Sequence, residues 1–132
     1  MNWFVLRLLV VLLAGFCSSG VSQAAQAART KTADGAWVGR WYTGKSNVCA
    51  GQRGVSEGLL VYTPKTMSGY ENECDIERII PVGREVELVI KCSGEGMTSR
   101  EREYLEVIDG KLRRTVNVGR ERQTFTYDRC PD

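Results

Sequence analysis

Residues 73–92 read ECDIERIIPVGREVELVIKC, and the way this stretch folds back on itself decides the fold. Two runs rich in isoleucine, valine and leucine flank Pro81-Val82-Gly83-Arg84, a group of turn-forming residues. Centring the turn on Gly83 pairs positions whose numbers sum to 166: Cys74 with Cys92, Ile76 with Ile90, Arg78 with Leu88, and Ile80 with Val86. One face of this hairpin is then apolar apart from the cysteines and Arg78. The other carries Glu73, Asp75 and Glu77 against Glu87, Val89 and Lys91, with Asp75 facing Lys91. A slip of one residue would scatter the apolar set over both faces, so the pattern itself selects the pairing. Directly opposite positions hold their Cβ atoms about 4.5–5.5 Å apart, which local twist brings into disulfide range.

The same alternation recurs along the chain. Short runs of β-branched and aromatic residues are separated by clusters of Gly, Asn, Asp and Ser, and no stretch holds a helical period for three turns. Seven strands are predicted, over residues 36–42, 58–63, 71–80, 85–92, 100–108, 111–118 and 123–130, with a long polar loop at 43–57. Asp109-Gly110 suits a two-residue type I′ turn. It sets Val107 opposite Leu112 on the inside and Glu106 opposite Arg113 as an exposed ion pair of little worth. Gly94-Glu95-Gly96 reads as a turn and not a phosphate loop, since no Lys-Ser or Lys-Thr follows. The prediction is an all-β antiparallel meander of seven or eight strands, closed into a barrel or strongly curved.

Residues 1–27 read as a cleaved signal peptide. Arg7 precedes an apolar run from Leu8 to Phe16, and Ala25-Gln26-Ala27 supplies the small-residue cleavage site. The apolar run is about half of the roughly 20 residues that a membrane span needs. Cys17 follows the large Phe16, unlike a lipid-attachment cysteine, and is expected to leave with the signal. Residues 28–34 read as a disordered leader and 35–132 as one domain. The chain carries 18 basic and 16 acidic residues, and the signal contains only Arg7 among them, so the near-balance excludes a nucleic-acid partner. No histidine is present. That removes Ser-His-Asp and Cys-His catalysis, His-rich zinc sites and histidine pH switching.

Cys49, Cys74, Cys92 and Cys130 remain after the signal, at spacings of 25, 18 and 38. An even count in a small exported chain reads as two disulfides, whereas a four-cysteine zinc site needs close pairs. In a seven-strand meander the loop with Cys49 and the chain end with Cys130 share a rim, and the hairpin register joins Cys74 to Cys92. The bond from Cys49 would close a loop of about 80 residues, worth roughly 4 kcal/mol on the loop-entropy model. The other two connectivities stay open at this level.

Three groups of residues invite a functional reading. Glu71, Glu73 and Asp75 share the solvent face of a strand, and alternating acids splay where a calcium loop needs converging oxygens, so a solvated strand is expected and no metal. Arg78, Glu103 and Arg114 fall by parity on inward faces. Buried charges must pair or meet water, so these form an ion-pair network or the polar floor of an anion-binding pocket, unless bulges return them to solvent, as is favoured here. Trp37, Trp41, Tyr42, Phe125 and Tyr127 are expected to pack the core and one barrel end, with a ring-stacking platform as the alternative. Serines and threonines lack a base beside them, so no nucleophile is identified.

Gly39-Arg40-Trp41-Tyr42 resembles the G-x-W-Y opening of the first strand in calycins, the superfamily of small antiparallel barrels that includes lipocalins and avidins. The resemblance implies an arginine from the last strand against Trp41, with Arg129 and Arg122 both eligible. The layout also resembles exported bacterial four-cysteine proteins and periplasmic inhibitors of peptidases or lysozyme. Together these predict a non-enzymatic binding module of the cell envelope, periplasmic or secreted and monomeric, without a cofactor. Its partner is a small ligand held by Arg78, Glu103, Arg114 and Trp41, or else an envelope protein that it inhibits. The alternative is an assembly protein acting through an edge strand.

Overall fold

A computed structural model describes residues 35–132; the expected signal peptide and the leader at 28–34 lie outside the described residues. The strands are β1 (Gly39–Tyr42), β2 (Leu59–Tyr62), β3 (Thr66–Gly69), β4 (Asn72–Val82), β5 (Glu85–Gly94), β6 (Met97–Ile108), β7 (Lys111–Val118) and β8 (Glu121–Arg129). They form a closed antiparallel barrel in chain order. No α-helix occurs among the described residues, and no helix there is long and apolar enough to cross a membrane. The short connections are chemically apt: Asp109 and Gly110 both adopt positive φ (51° and 75°), as a type I′ turn requires.

The barrel interior is filled at its centre. Trp41, Tyr62, Val86, Leu88, Ile90, Leu105 and Leu112 are all at most 1% exposed, and Trp37 joins the same cluster. Because side chains alternate along each strand, the residues two positions further along β6, β7 and β8 face the same interior. That alternation builds the mouth described below.

Two expectations are corrected. The first concerns β3, which the sequence pattern missed because Thr66-Met67-Ser68-Gly69 offers no β-branched run and ends in glycine. The extra strand reverses the sense of every later one. The last strand therefore runs antiparallel to β1 and closes the barrel through Trp41↔Arg129 and Tyr42↔Asp128. In this topology the end of β1 and the end of β8 lie at opposite rims, yet Cys49 and Cys130 are bonded. The loop folds back over the outer wall of β1. There the Arg40 side chain donates to the carbonyls of Cys49 and Gly51 (2.8 and 2.9 Å), and Cys130 N–H donates to Arg40 O at 2.9 Å.

The second correction lies in the opening hairpin. Cys74↔Cys92, Asp75↔Lys91 and Ile76↔Ile90 pair as the pattern requires, but a bulge at Glu77 then shifts the register. Arg78 consequently meets Val89, Ile79 meets Leu88 and Pro81 meets Val86. Arg78, inward by simple parity, is exposed, as the favoured reading of a bulge requires. A bulge is a cheap way to keep a cation out of an apolar interior while leaving both flanking ladders intact. Both disulfides, Cys49–Cys130 and Cys74–Cys92, are present. Two disulfides are compatible with an oxidising, extracytoplasmic setting.

Candidate functional site

Glu103 and Arg114 reach the interior from adjacent strands, since Glu103 sits beside Leu105 on β6 and Arg114 lies opposite Leu105 on β7. Glu103 is 1% exposed. Both its oxygens are engaged: Arg114 Nε donates to Oε2 at 2.7 Å, and the Tyr62 hydroxyl, from the opposite wall, donates to Oε1 at 2.7 Å. Burial, reinforced by the Glu103 charge, holds the Tyr62 phenol well above its ordinary range. Burial alone would lower the Arg114 guanidinium, but Tyr62 and Glu103 outweigh it and hold it above its ordinary range. Arg114 is thus a fixed cation whose orientation is set through one nitrogen. Its terminal nitrogens have no partner among the described residues, and 17% of its side chain remains exposed.

That exposure exists because the walls differ in length. β1, β2 and β3 have four residues each, whereas β4–β8 run from eight to twelve. The long strands overshoot at the rim of the β5–β6 and β7–β8 turns, so their inward residues there look into an open mouth. Beside Arg114 stands Phe125, and further out come the pairs Val116↔Gln123 and Val118↔Glu121. Phe125 and Val118 face inward yet are 43% and 50% exposed. Glu101, inward on β6, also lines a groove of about 450 Å³ between the β3–β4 and β5–β6 turns, with Tyr70, Asn72, Cys92, Met97 and Ser99. The mouth therefore combines an anchored cation, an apolar wall and a polar extension.

Of the four residues expected to hold a ligand, Glu103 and Arg114 are brought together, Arg78 lies on the outer surface, and Trp41 is wholly buried beneath them in the core. Trp41 Nε1 donates to Trp37 O at 2.8 Å. Its ring carries the Arg129 guanidinium at 4.1 Å, while Arg122 sits over Tyr104 instead. The Glu106–Arg113 pair, expected to be exposed, is reshaped: the Glu106 side chain is 11% exposed and bridged by Arg84 at 3.0 Å as well as by Arg113 at 3.4 Å. Glu71, Glu73 and Asp75 are exposed, and no group of three metal-ligating side chains occurs among the described residues. Comparison with known proteins adds no relative: no family model, curated protein or solved structure matches the chain.

Sequence reasoning did not single out Tyr62 or the placement of Phe125. Tyr62 shares the parity of Leu60, which marks it as inward, but its partner lies across the barrel and 41 residues away. Phe125 reads as core by parity, and only the shortness of β1–β3 exposes it.

Proposed function

We propose that the protein is a monomeric, non-enzymatic binding module of the cell envelope, periplasmic or secreted, that holds a small anionic ligand at the mouth above Arg114. The observation that carries this is Arg114 itself, fixed through Nε by Glu103 and open at its terminal nitrogens, with Phe125 exposed beside it. A guanidinium oriented in this way is suited to a carboxylate or phosphate, and the adjoining ring to an apolar body. The filled centre favours this mouth over a ligand enclosed in the barrel. The Glu103 carboxylate at the floor already accepts from Tyr62 and Arg114, which supports binding over acid–base catalysis. Arg129 standing on Trp41 supports the calycin resemblance.

The inhibitor version is less favoured. The loop around Val55 is wound into turns by bonds from Val55 and Ser56 to Gln52 O and from Leu59 to Ser56 O, not extended for insertion into a partner's cleft. Thermal-shift measurements on the oxidised chain from residue 28, against aromatic and aliphatic carboxylates and phosphates, test the proposal. A dose-dependent rise in Tm is expected for at least one class. Phe125→Ser, at an exposed position, should weaken that ligand about tenfold. A panel with no shift, or a shift indifferent to Phe125→Ser, overturns the proposal.

A further inference from the structure

Several strands outrun a neighbour and leave an edge half free, among them β4 beyond β3, β6 beyond β7 at Met97–Arg102, and β8 beyond β1. β1 pairs with β8 only at Asp128 and Arg129, so Glu121–Thr126 has β7 on one side and no strand on the other, and each of these residues is exposed. In the two-residue β7–β8 hairpin the closing pair Val118↔Glu121 exchanges hydrogen bonds, so odd-numbered residues of β8 turn their main-chain groups to β7 and even-numbered ones turn away. Cys130 agrees, donating its N–H to Arg40 on the β1 side. Arg122, Thr124 and Thr126 therefore present three N–H and C=O pairs with no main-chain partner among the described residues. β4 and β6, which also outrun a neighbour, are different: Pro81 removes a donor from the free stretch of β4, and the outward arginines of the free stretch of β6, Arg100 and Arg102, already hold Glu77 and Glu87.

We propose that β8 accepts an extended segment of a partner protein as a ninth strand, alternating apolar residues facing inward with acidic residues facing outward. The alternation follows from what β8 offers on each face. Inward lies Phe125, exposed and apolar. Outward lies Arg122, whose guanidinium covers Tyr104 at 4.4 Å and has no carboxylate partner among the described residues. Main-chain bonds supply the affinity in this mode of recognition and the alternate side chains supply selectivity. A second copy fits less well. The two-fold register centred on Thr124 avoids opposing arginines, but it drives Glu121 of the second copy against Tyr127, beside which Thr43 already donates its N–H to Gly58. The ninth strand and the mouth ligand share Phe125 but not Arg114, which takes no part in these main-chain bonds, so exchange at the three amides reports the strand independently of the mouth.

The test is amide hydrogen exchange on the ¹⁵N-labelled chain from residue 28, with a short blocked peptide alternating valine and aspartate. The amides of Arg122, Thr124 and Thr126 should gain at least about tenfold protection, with little change at Gln123 and Phe125, which already bond to β7. The same peptide N-methylated at alternate residues should give none, and Arg122→Glu should shift preference to a valine–lysine peptide. Unchanged exchange at the three amides with the unmethylated peptide overturns the proposal. So does protection already present without peptide: concentration-dependent, it identifies a second copy; concentration-independent, it means the chain covers its own edge.

Discussion

Glu103 gives the barrel interior its polar character, and its environment predicts what its removal does. Glu103→Gln leaves the Arg114 cation buried without a counter-charge, which costs about 3–5 kcal/mol in urea unfolding. Glu103→Gln with Arg114→Met, which removes both charges, should recover most of that loss. Tyr62 supplies the pH signature. Its phenol ionises near pH 10 in the unfolded chain and higher in the fold, so its contribution is intact below about pH 10 and declines as pH rises towards the folded value. Tyr62→Phe should therefore flatten the loss of unfolding free energy above about pH 10, where each such group contributes up to about 1.4 kcal/mol per pH unit. Gly39 is equally constrained: it sits at φ 139°, and a Cβ there would stand 2.8 Å from Arg129 Nη1. Gly39→Ala should destabilise by about 1–3 kcal/mol and lift Arg129 from Trp41, visible as a change in tryptophan fluorescence. The parity of Glu103 and Arg114 with Leu105 and Leu112 points that pair inward, but the favoured reading, bulges that return the charges to solvent, holds for Arg78 alone. Tyr62 was not legible in the sequence, because an alternating pattern names a face and leaves the partner across the barrel unspecified.

The β4–β5 hairpin shows how far an alternating pattern reaches. Cysteines, aspartate and lysine fell into the expected register because the cost of burying Glu73 or Asp75 fixes the first half of the ladder. Beyond Ile76 the pattern was ambiguous, since Ile79, Ile80 and Val82 populate both faces. There the bulge at Glu77 resolves the conflict by turning Arg78 outward. The extra residue has its own role, for Glu77 takes the Arg100 guanidinium at 2.8 Å on the outer face. That contact is exposed and worth little, so the bulge is not needed for stability. Deleting Glu77 would leave Ile76↔Ile90 followed directly by Arg78↔Val89, a regular ladder with the same inward set. The deletion should change stability by no more than about 1 kcal/mol, and peptide mapping of the unreduced protein should still join Cys74 to Cys92. Loss of that linkage would mean that the bulge sets the register and does not merely adjust it.

At the scale of the molecule the weak place is the seam. Two residue pairs join β1 to β8, whereas nine join β4 to β5, so closure depends on what ties the ends of the chain from outside the ladder. Cys49–Cys130 does this, together with Arg40 on the loop carbonyls and Arg129 on Ala36 O and Val38 O. The pairing was legible from the cysteine count and the register that joins Cys74 to Cys92, which leaves Cys49 for Cys130, whereas the seven-strand rim argument is overturned: β3 inverts the last strand, and the loop spans the difference by lying on the outer wall. The two bonds should accordingly fail in different ways. On loop entropy, replacing Cys49 and Cys130 by serine costs about 4–5 kcal/mol and replacing Cys74 and Cys92 about 3. The larger distinction is in where the structure opens. Without Cys49–Cys130 the amides at the seam, Tyr42 and Asp128 among them, should exchange through local opening well below the free energy of global unfolding, while β4–β7 amides exchange only globally. Without Cys74–Cys92 the long ladder still holds its strands together, so all protected amides should weaken in parallel. Native-state hydrogen exchange on the two double variants reads this directly, and a uniform loss in both would place the stability of the seam elsewhere than in the bond across it.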